Sequence, residues 1–265
     1  DCTLGGGGYT RKILEDSDHN TAVIAIDRDE FAITHCRKVL SEFKERIIFM
    51  QRNFGDIAAI VYDSGFKEID GIMMDLGLST YQLSSEEGFS YQRNTSLDMR
   101  ADKSQELSAK DVLNTYSEQE LEKIFSKFGE LRYSRQLAKE ICSFRKVSEL
   151  KTTFDLVDAV REKIPPRFLN SDLSRIFQAV RIEVNNELAN LESVLHNSVD
   201  LLKDGARIAA VSYHSLEDRI VKNAFRSEEK LKVLTKKSVE PSDEEISRNV
   251  RARSARLRAA EKSTE

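Results

Sequence analysis

The chain has 265 residues, 40% of them hydrophobic and 32% charged, with a formal net charge of −4. That length holds one large domain, or one domain with a sizeable insertion, and the apolar share is enough for a core. An acidic balance excludes a globally basic nucleic-acid binder, so any such surface must be local. No apolar run approaches the ~18 residues of a membrane span and no secretory signal is visible, so a soluble, cytoplasmic protein without membrane contact is expected. Cys2, Cys36 and Cys142 are odd in number and share no metal-ligand spacing, which predicts a reducing compartment, no disulfide framework and no metal.

The chain opens on Asp1-Cys2-Thr3-Leu4-Gly5-Gly6-Gly7-Gly8-Tyr9-Thr10 and runs into Arg11-Lys12-Ile13-Leu14, the start of a helix. Glycine lacks a Cβ, so such a loop can adopt positive φ and let a ligand approach closely. A flexible linker has the same composition, but linkers are rarely followed by a β-branched run that ends in an acid. Here Ala22-Val23-Ile24-Ala25-Ile26 ends at Asp27, about 20 residues beyond the glycines, where a carboxylate can accept from ribose hydroxyls. The nicotinamide spacing G-x-G-x-x-G fails, because the third glycine falls on Thr10 or Arg11. An acid four residues before the first glycine is closer to the S-adenosylmethionine loop of methyltransferases. In a doubly wound fold a strand precedes that acid, so a first strand and a helix are expected upstream of residue 1.

Residues 21–27 predict a buried parallel strand, Glu30 to Phe43 a helix, and Arg46 to Gln51 a second strand. The turn Asn53-Phe54-Gly55-Asp56 and a short helical stretch follow. Ile69 to Asp75 predicts a third strand, again closed by an acid. This alternation predicts a parallel sheet with right-handed crossovers, whose ligands bind beyond the carboxyl ends of the strands. The Gly loop, Asp27, Asn53/Phe54 and Asp75 then converge on one crevice. Each acid taken alone could instead cap a helix, and Phe54 could be plain core or a face for an adenine.

After Leu83 the texture turns polar and loop-like up to Lys110, with aromatics that argue against disorder. Helical patterns then run over 108–115, 117–128, 132–144 and 152–164 without an intervening strand. Residues 87–172 read as a helical insertion, between sheet-domain segments 1–86 and 173–265. A long helix is expected over 173–202, capped by Asp172 and stopped at Lys203-Asp204-Gly205. Ala206 to Tyr213 is the next strand, and His214-Ser215-Leu216-Glu217-Asp218-Arg219 stands at its ligand end. Residues 247–262 carry Arg248, Arg251, Arg253, Arg256, Arg258 and Lys262 against the single acid Glu261. That reads either as a solvated tail or as a patch for backbone phosphates.

Several of these blocks together resemble one family: Asp1-x-Thr3-Leu4 with the four glycines, Ile26-Asp27-Arg28-Asp29, Asp75-Leu76-Gly77-Leu78-Ser79, Gly88-Phe89-Ser90 and Leu97-Asp98-Met99-Arg100. Arg175 to Asn185, Ser212 to Arg219 and Arg251 to Arg258 complete the set. They look like the MraW/RsmH-type small-subunit ribosomal RNA (cytosine-N4) methyltransferases, from first residue to last. The resemblance implies a Rossmann-like α/β domain that binds S-adenosylmethionine, with an inserted helical domain. It implies a decoding-region cytidine of 16S ribosomal RNA, within the small ribosomal subunit, as substrate, and leaves a homodimer open. By position it implies cofactor contacts at Gly7, Gly8, Tyr9, Asp27, Phe54, Asp75 and Gln82. Two positions depart from the family pattern. Tyr9 stands where histidine is usual, and Ser79-Thr80-Tyr81-Gln82 replaces Ser-Ser-Pro-Gln.

The exocyclic amine of cytosine is a weak nucleophile because its lone pair is delocalised into the ring. An enzyme must accept hydrogen bonds from it, align it, and take a proton as it becomes cationic. Asp75, or the carbonyls of Leu76 and Gly77, could accept, while His214 and Ser215 could orient the base. His214 could equally pin the helix that follows. Phe89, Tyr91, Arg93 and Arg100 could hold a flipped-out base and its phosphate. The alternatives are a protein or small-molecule substrate, and a non-catalytic RNA-binding assembly protein on the same fold.

Overall fold

The computed structural model describes residues 1–78 and 87–263. The chain forms two compact units, Asp1–Ser79 with Leu188–Glu265, and Thr80–Glu187. No helix among the described residues is long and apolar enough to cross a membrane.

Among its described residues the first unit is a mixed α/β structure built on six strands: β1 (Val23–Asp27), β2 (Ile47–Gln51), β3 (Ile69–Asp75), β4 (Leu202–Ser212), β5 (Leu231–Val233) and β6 (Arg256–Lys262). β1 pairs parallel with β2, and β3 pairs parallel with β4 so that Asp75 lies opposite Val211. β6 lies antiparallel between β4 and β5. Residues 1–4 join the two pairs. Asp1 O accepts from Ile26 N and Leu4 N donates to Ile26 O, each at 2.9 Å, while Cys2 N donates to Met73 O at 2.9 Å. The strand side chains alternate between two cores. Val23 and Ala25 enter a cluster with Leu14, Ile33, Cys36 and Leu40, while Ile26 joins Ile60, Met74, Val194, Ile208 and Phe225. Both faces of β1 are thus covered, as its unbroken apolar run requires, whereas β3 sends Ile72 and Met74 into the second of these clusters alone.

The second unit is built of helices, with one isolated bridge between Ser96 and Thr152 among its described residues. Helices Ala109–Thr115, Glu118–Lys127 and Thr153–Val160 each open on a reciprocal cap: Ser108 with Asp111, Ser117 with Glu120, and Thr152 with Asp155. Each cap satisfies two backbone donors that a helix start otherwise leaves unpaired. The Gly88–Arg100 loop is held from within. Phe89 is buried, Tyr91 packs edge-on against Phe177, and the Arg100 guanidinium donates to Asp98 at 2.7 Å and to Gln105 O at 2.7 Å. The Asn185 amide accepts from Ala101 N at 2.9 Å and donates to Met99 O at 2.7 Å.

Three expectations change. The helix expected over 173–202 is two helices, Leu169–Asn185 and Glu187–Ser198, because Asn186 takes φ 50°. Asparagine tolerates that left-handed conformation without glycine. Asp172 lies inside the first helix, buried, and accepts from the Tyr133 hydroxyl. Lys203-Asp204-Gly205 belongs to β4, so no helix stops there.

The arginine-rich segment is structural in part. In β6 the buried Arg258 donates to both carboxylate oxygens of Asp218, at 2.7 and 3.0 Å. Lys262 donates to Leu202 O at 2.6 Å, and Arg248 reaches Glu244. Burial pushes the Asp218 carboxyl up, but Arg258 and then Arg256 hold it below the usual carboxylate range. A group depressed on folding stabilises the fold above its unfolded pKa, and that stability is lost as pH falls through the folded value. Replacing Arg258 by Ala strands a buried carboxylate, so thermal or urea unfolding should show a loss of about 3 kcal/mol at neutral pH. The deficit should shrink on acidification below the ordinary carboxylate range.

Candidate active site

The glycine loop is fixed by side chains on its own borders. The Asp1 carboxylate accepts from Thr3 N at 3.1 Å and from the buried Thr10 hydroxyl at 2.8 Å, closing the loop on itself. Gly5 N donates to Asp27 Oδ2 at 2.8 Å, and Cys36 Sγ approaches Gly5 O at 3.4 Å. Gly5 and Gly7 take φ 48° and 81°. A Cβ on Gly7 would meet Cys36 Sγ and Leu40 Cδ1 at 3.0 Å, whereas one on Gly6 or Gly8 would meet nothing within 4 Å. One side of the loop is therefore packed and the other open. Helix Gly8–Asp16 starts there with no side-chain cap and no acid in its first turn, so its amino end retains partial positive charge.

Asp27 ends β1. Its Oδ1 accepts from Asp29 N at 2.9 Å, so each oxygen already holds one backbone N–H and keeps a lone pair. Burial raises its pKa, against those two backbone bonds. Phe54 opens a short turn at the end of β2, where Asn53 Oδ1 accepts from Gly55 N at 2.9 Å. Its ring is half-buried against the central core.

Asp75 ends β3. Its backbone N donates to Thr3 Oγ1 at 2.6 Å, and its Oδ1 accepts from the Tyr213 hydroxyl at 2.9 Å. Burial pushes the Asp75 carboxyl up, the Tyr213 bond pulls it down, Glu217 adds to the rise, and the balance is upward. Tyr9 is 39% exposed. Its phenol is pushed up by burial and then by the negative charge of Asp75 and Glu245. Tyr213 is pushed further up, by burial and by Asp75.

His214 caps helix Ser215–Ser227. Its Nδ1 accepts from Glu217 N at 3.4 Å, and Glu217 Oε2 accepts from Tyr213 N at 3.0 Å. Its Nε2 lies 3.2 Å from Glu217 Oε1 but off the line of a hydrogen bond, leaving that buried nitrogen unsatisfied among the described residues. Ser215 is the first, exposed residue of the helix. Of the residues expected at the site, the glycine loop, Tyr9, Asp27 and Asp75 are linked in this way, with His214 and Ser215 next to Tyr213. Gln82 lies outside the described residues. Phe89, Tyr91 and Arg100 serve contacts within the second unit.

Thr3, Thr10 and Tyr213 were given no role by the sequence. Tyr213 lies one residue past the end of β4, whose Val211 pairs with Asp75, so the strand pairing and no local sequence pattern brings it to the site.

A carboxylate-flanked glycine loop at the carboxyl end of an open α/β sheet defines an enzyme that binds a nucleotide-like cofactor. The open side at Gly6 and Gly8, the half-satisfied Asp27 carboxylate and the uncapped helix start suit the ribose and amino-acid ends of S-adenosylmethionine. The particular family follows from comparison with known proteins. The chain belongs to the MraW methylase family, whose pattern it matches over residues 1–263. It is 43% identical over 283 residues to ribosomal RNA small subunit methyltransferase H of Carboxydothermus hydrogenoformans, covering 99% of this chain and 90% of that one. It is 45% identical over 266 residues to the protein of that name from Nostoc punctiforme, covering 99% and 86%. The Sulfurihydrogenibium protein of that name is 43% identical over 264 residues, covering 97% and 90%. Methylases of this family depend on S-adenosylmethionine.

Gly7→Ala should lower stability by about 1–3 kcal/mol in thermal melts, since it combines positive φ with a packed Cβ. Gly6→Ala should leave the melt within ~0.5 kcal/mol yet weaken S-adenosylmethionine binding measured by calorimetry.

Proposed function

We propose that this chain methylates the exocyclic N4 amine of a cytidine in the decoding region of 16S ribosomal RNA, within the small ribosomal subunit. The observation that carries the reading is Asp75. It is a carboxylate at a strand end beside the glycine loop, held by Thr3 and Tyr213, in a chain over 40% identical to ribosomal RNA small subunit methyltransferases. S-adenosylmethionine supplies an electrophilic methyl group. In the proposed mechanism, Gly7, Gly8 and Tyr9 contact the cofactor along the loop, Asp27 accepts from ribose hydroxyls and Phe54 stands at the adenine. Gln82 completes the proposed set at the methionine end.

Asp75 acts on the target amine. Its free lone pairs accept an N–H, orienting the nitrogen lone pair along the line of attack. As the amine nitrogen bonds to the methyl carbon, the methyl–sulfur bond would break with its electron pair left on sulfur as a neutral thioether; the amine becomes cationic, and one of its protons passes to the carboxylate or to water. The Tyr213 hydroxyl fixes the carboxylate rotamer through Oδ1, so Oδ2 is the oxygen left for substrate. His214 and Ser215 border the base, and the helical unit, 87–172 in the sequence reading, is assigned to RNA recognition. The reading places the enzyme in the cytoplasm and leaves monomer or homodimer to a sizing measurement.

The test offers S-adenosylmethionine labelled on its methyl to unmethylated small subunits, naked ribosomal RNA, DNA and a protein extract. Label on the exocyclic amine of a subunit cytidine, read by nucleoside mass spectrometry, is the expected result. Label in protein would overturn the substrate, and bound cofactor with no label anywhere would favour a non-catalytic RNA-binding protein. Asp75→Ala should cut turnover by at least about a hundredfold without a matching loss in thermal stability. Tyr213→Phe removes the bond that holds the Asp75 carboxyl down, so the acid limb of the pH–rate profile should move to higher pH.

A further inference from the structure

Helix Ser215–Ser227 begins at the candidate site and, beyond Arg219, carries Lys222 and Arg226 further along. They are four residues apart and share one face. At 1.5 Å per residue they stand about 10 and 16 Å along the axis from Ser215. The segment linking β5 to β6 brings Lys236 and Lys237 to the same place. It is clamped to β6 at both ends: Leu234 N donates to Ala259 O at 3.0 Å, and Val239 and Leu257 exchange backbone bonds at 2.9 Å. With Arg258 and Ser238, these side chains line a cavity of about 540 Å³.

The cavity's charge is unbalanced. Arg258 is matched by Asp218, but Lys222, Arg226, Lys236 and Lys237 make no hydrogen bond or ion pair among the described residues. Glu240 is the one acid in the lining. Acids are not scarce in a chain with 45 of them against 41 lysines and arginines, and Lys230 and Lys203 elsewhere in this unit do find Asp200 and Asp70. Like charges gathered in a concavity repel one another and focus a positive potential into it. No apolar side chain lines the cavity, so it lacks the hydrophobic centre of a protein–protein interface.

We infer that this cavity binds consecutive phosphates of the RNA strand flanking the target cytidine. The inference rests on the reading that RNA is the substrate, and it names the site that anchors it. Lysine ammoniums suit this as point charges, and Arg226 adds a fork for two phosphate oxygens. Such contacts set register along the backbone and carry no base information. The rigid helix connects the anchor to the base-bordering residues His214 and Ser215, so phosphates held at one end position the nucleotide at the other.

The experiment compares wild type, Lys236→Gln/Lys237→Gln, and a charge-matched control, Lys38→Gln/Lys67→Gln, whose sites are exposed and outside the cavity. Binding of a single-stranded RNA spanning the decoding region is measured across a salt series, with methyl transfer to small subunits and cofactor affinity alongside. The cavity variant should bind RNA roughly tenfold more weakly, with the slope of log K against log salt reduced by about 1.4, or about 0.7 per lost phosphate contact. Its cofactor affinity should match wild type, and the control should match wild type throughout. Equal losses in both variants would reduce the effect to net charge and overturn the site. Unchanged RNA binding in the cavity variant, with wild type still methylating subunits, would overturn the site and leave the activity standing. With tripolyphosphate binding measured on the same proteins, its loss in the cavity variant while RNA binding is unchanged would make this a small-anion site and overturn the RNA assignment. Wild type that labels only protein would overturn the RNA reading itself, and the anchor with it.

Discussion

Residues 1–4 are gripped from both sides, and the candidate site takes its geometry from that grip. Ile26 holds Asp1 and Leu4 on one flank, and Met73 holds Cys2 on the other. Backbone donors and acceptors buried in a sheet must be paired, so the segment has little freedom to move. That fixity lets two short side chains act as rulers. The Asp1 carboxylate draws Thr10 back over the loop, and the Thr3 hydroxyl meets the backbone of Asp75. A loop of four glycines would otherwise be the most mobile part of the molecule. Here its shape is dictated by the acid and the threonines around it.

Local patterns were legible. β1 is an apolar run ended by an acid, β3 closes on Ile72-Met73-Met74 before Asp75, and the helices of the second unit announce themselves at Ser108, Ser117 and Thr152, where a capping residue precedes an acid three positions on. The glycine loop, Asp27 and Asp75 could be named for the same reason, because each is a strand-end feature visible within a few residues. Contacts between distant segments were not legible. The Tyr213 hydroxyl finds Asp75 across 138 residues only through the pairing of β3 with β4. The sequence Arg256-Leu257-Arg258 looks like a charged tail until Asp218, forty positions earlier, is placed against it. The break at Asn186 was hidden because neither glycine nor proline marks it.

The cations of this chain thus divide into two populations that composition cannot tell apart. Arg258 and Lys262 are spent on holding β6 to its neighbours. Lys222, Arg226, Lys236 and Lys237 are spent on nothing within the described molecule. An acidic protein can therefore present a concentrated positive surface, provided its arginine-rich strand is neutralised internally and its lysines are not.

The position of β6 also constrains how the chain reaches its fold. Among the described residues β5 meets the sheet only through β6, and β6 separates it from β4. A chain growing from its amino end makes β4 and β5 before the strand that unites them exists. Until residues 256–262 are available, β4 has an open edge and β5 has no partner strand. Unpaired edges of this kind recruit other chains, and non-local pairing is the slow part of folding. The Arg258–Asp218 pair ties this last strand to helix Ser215–Ser227, which precedes it in the chain, and so helps to keep that edge covered once it is paired.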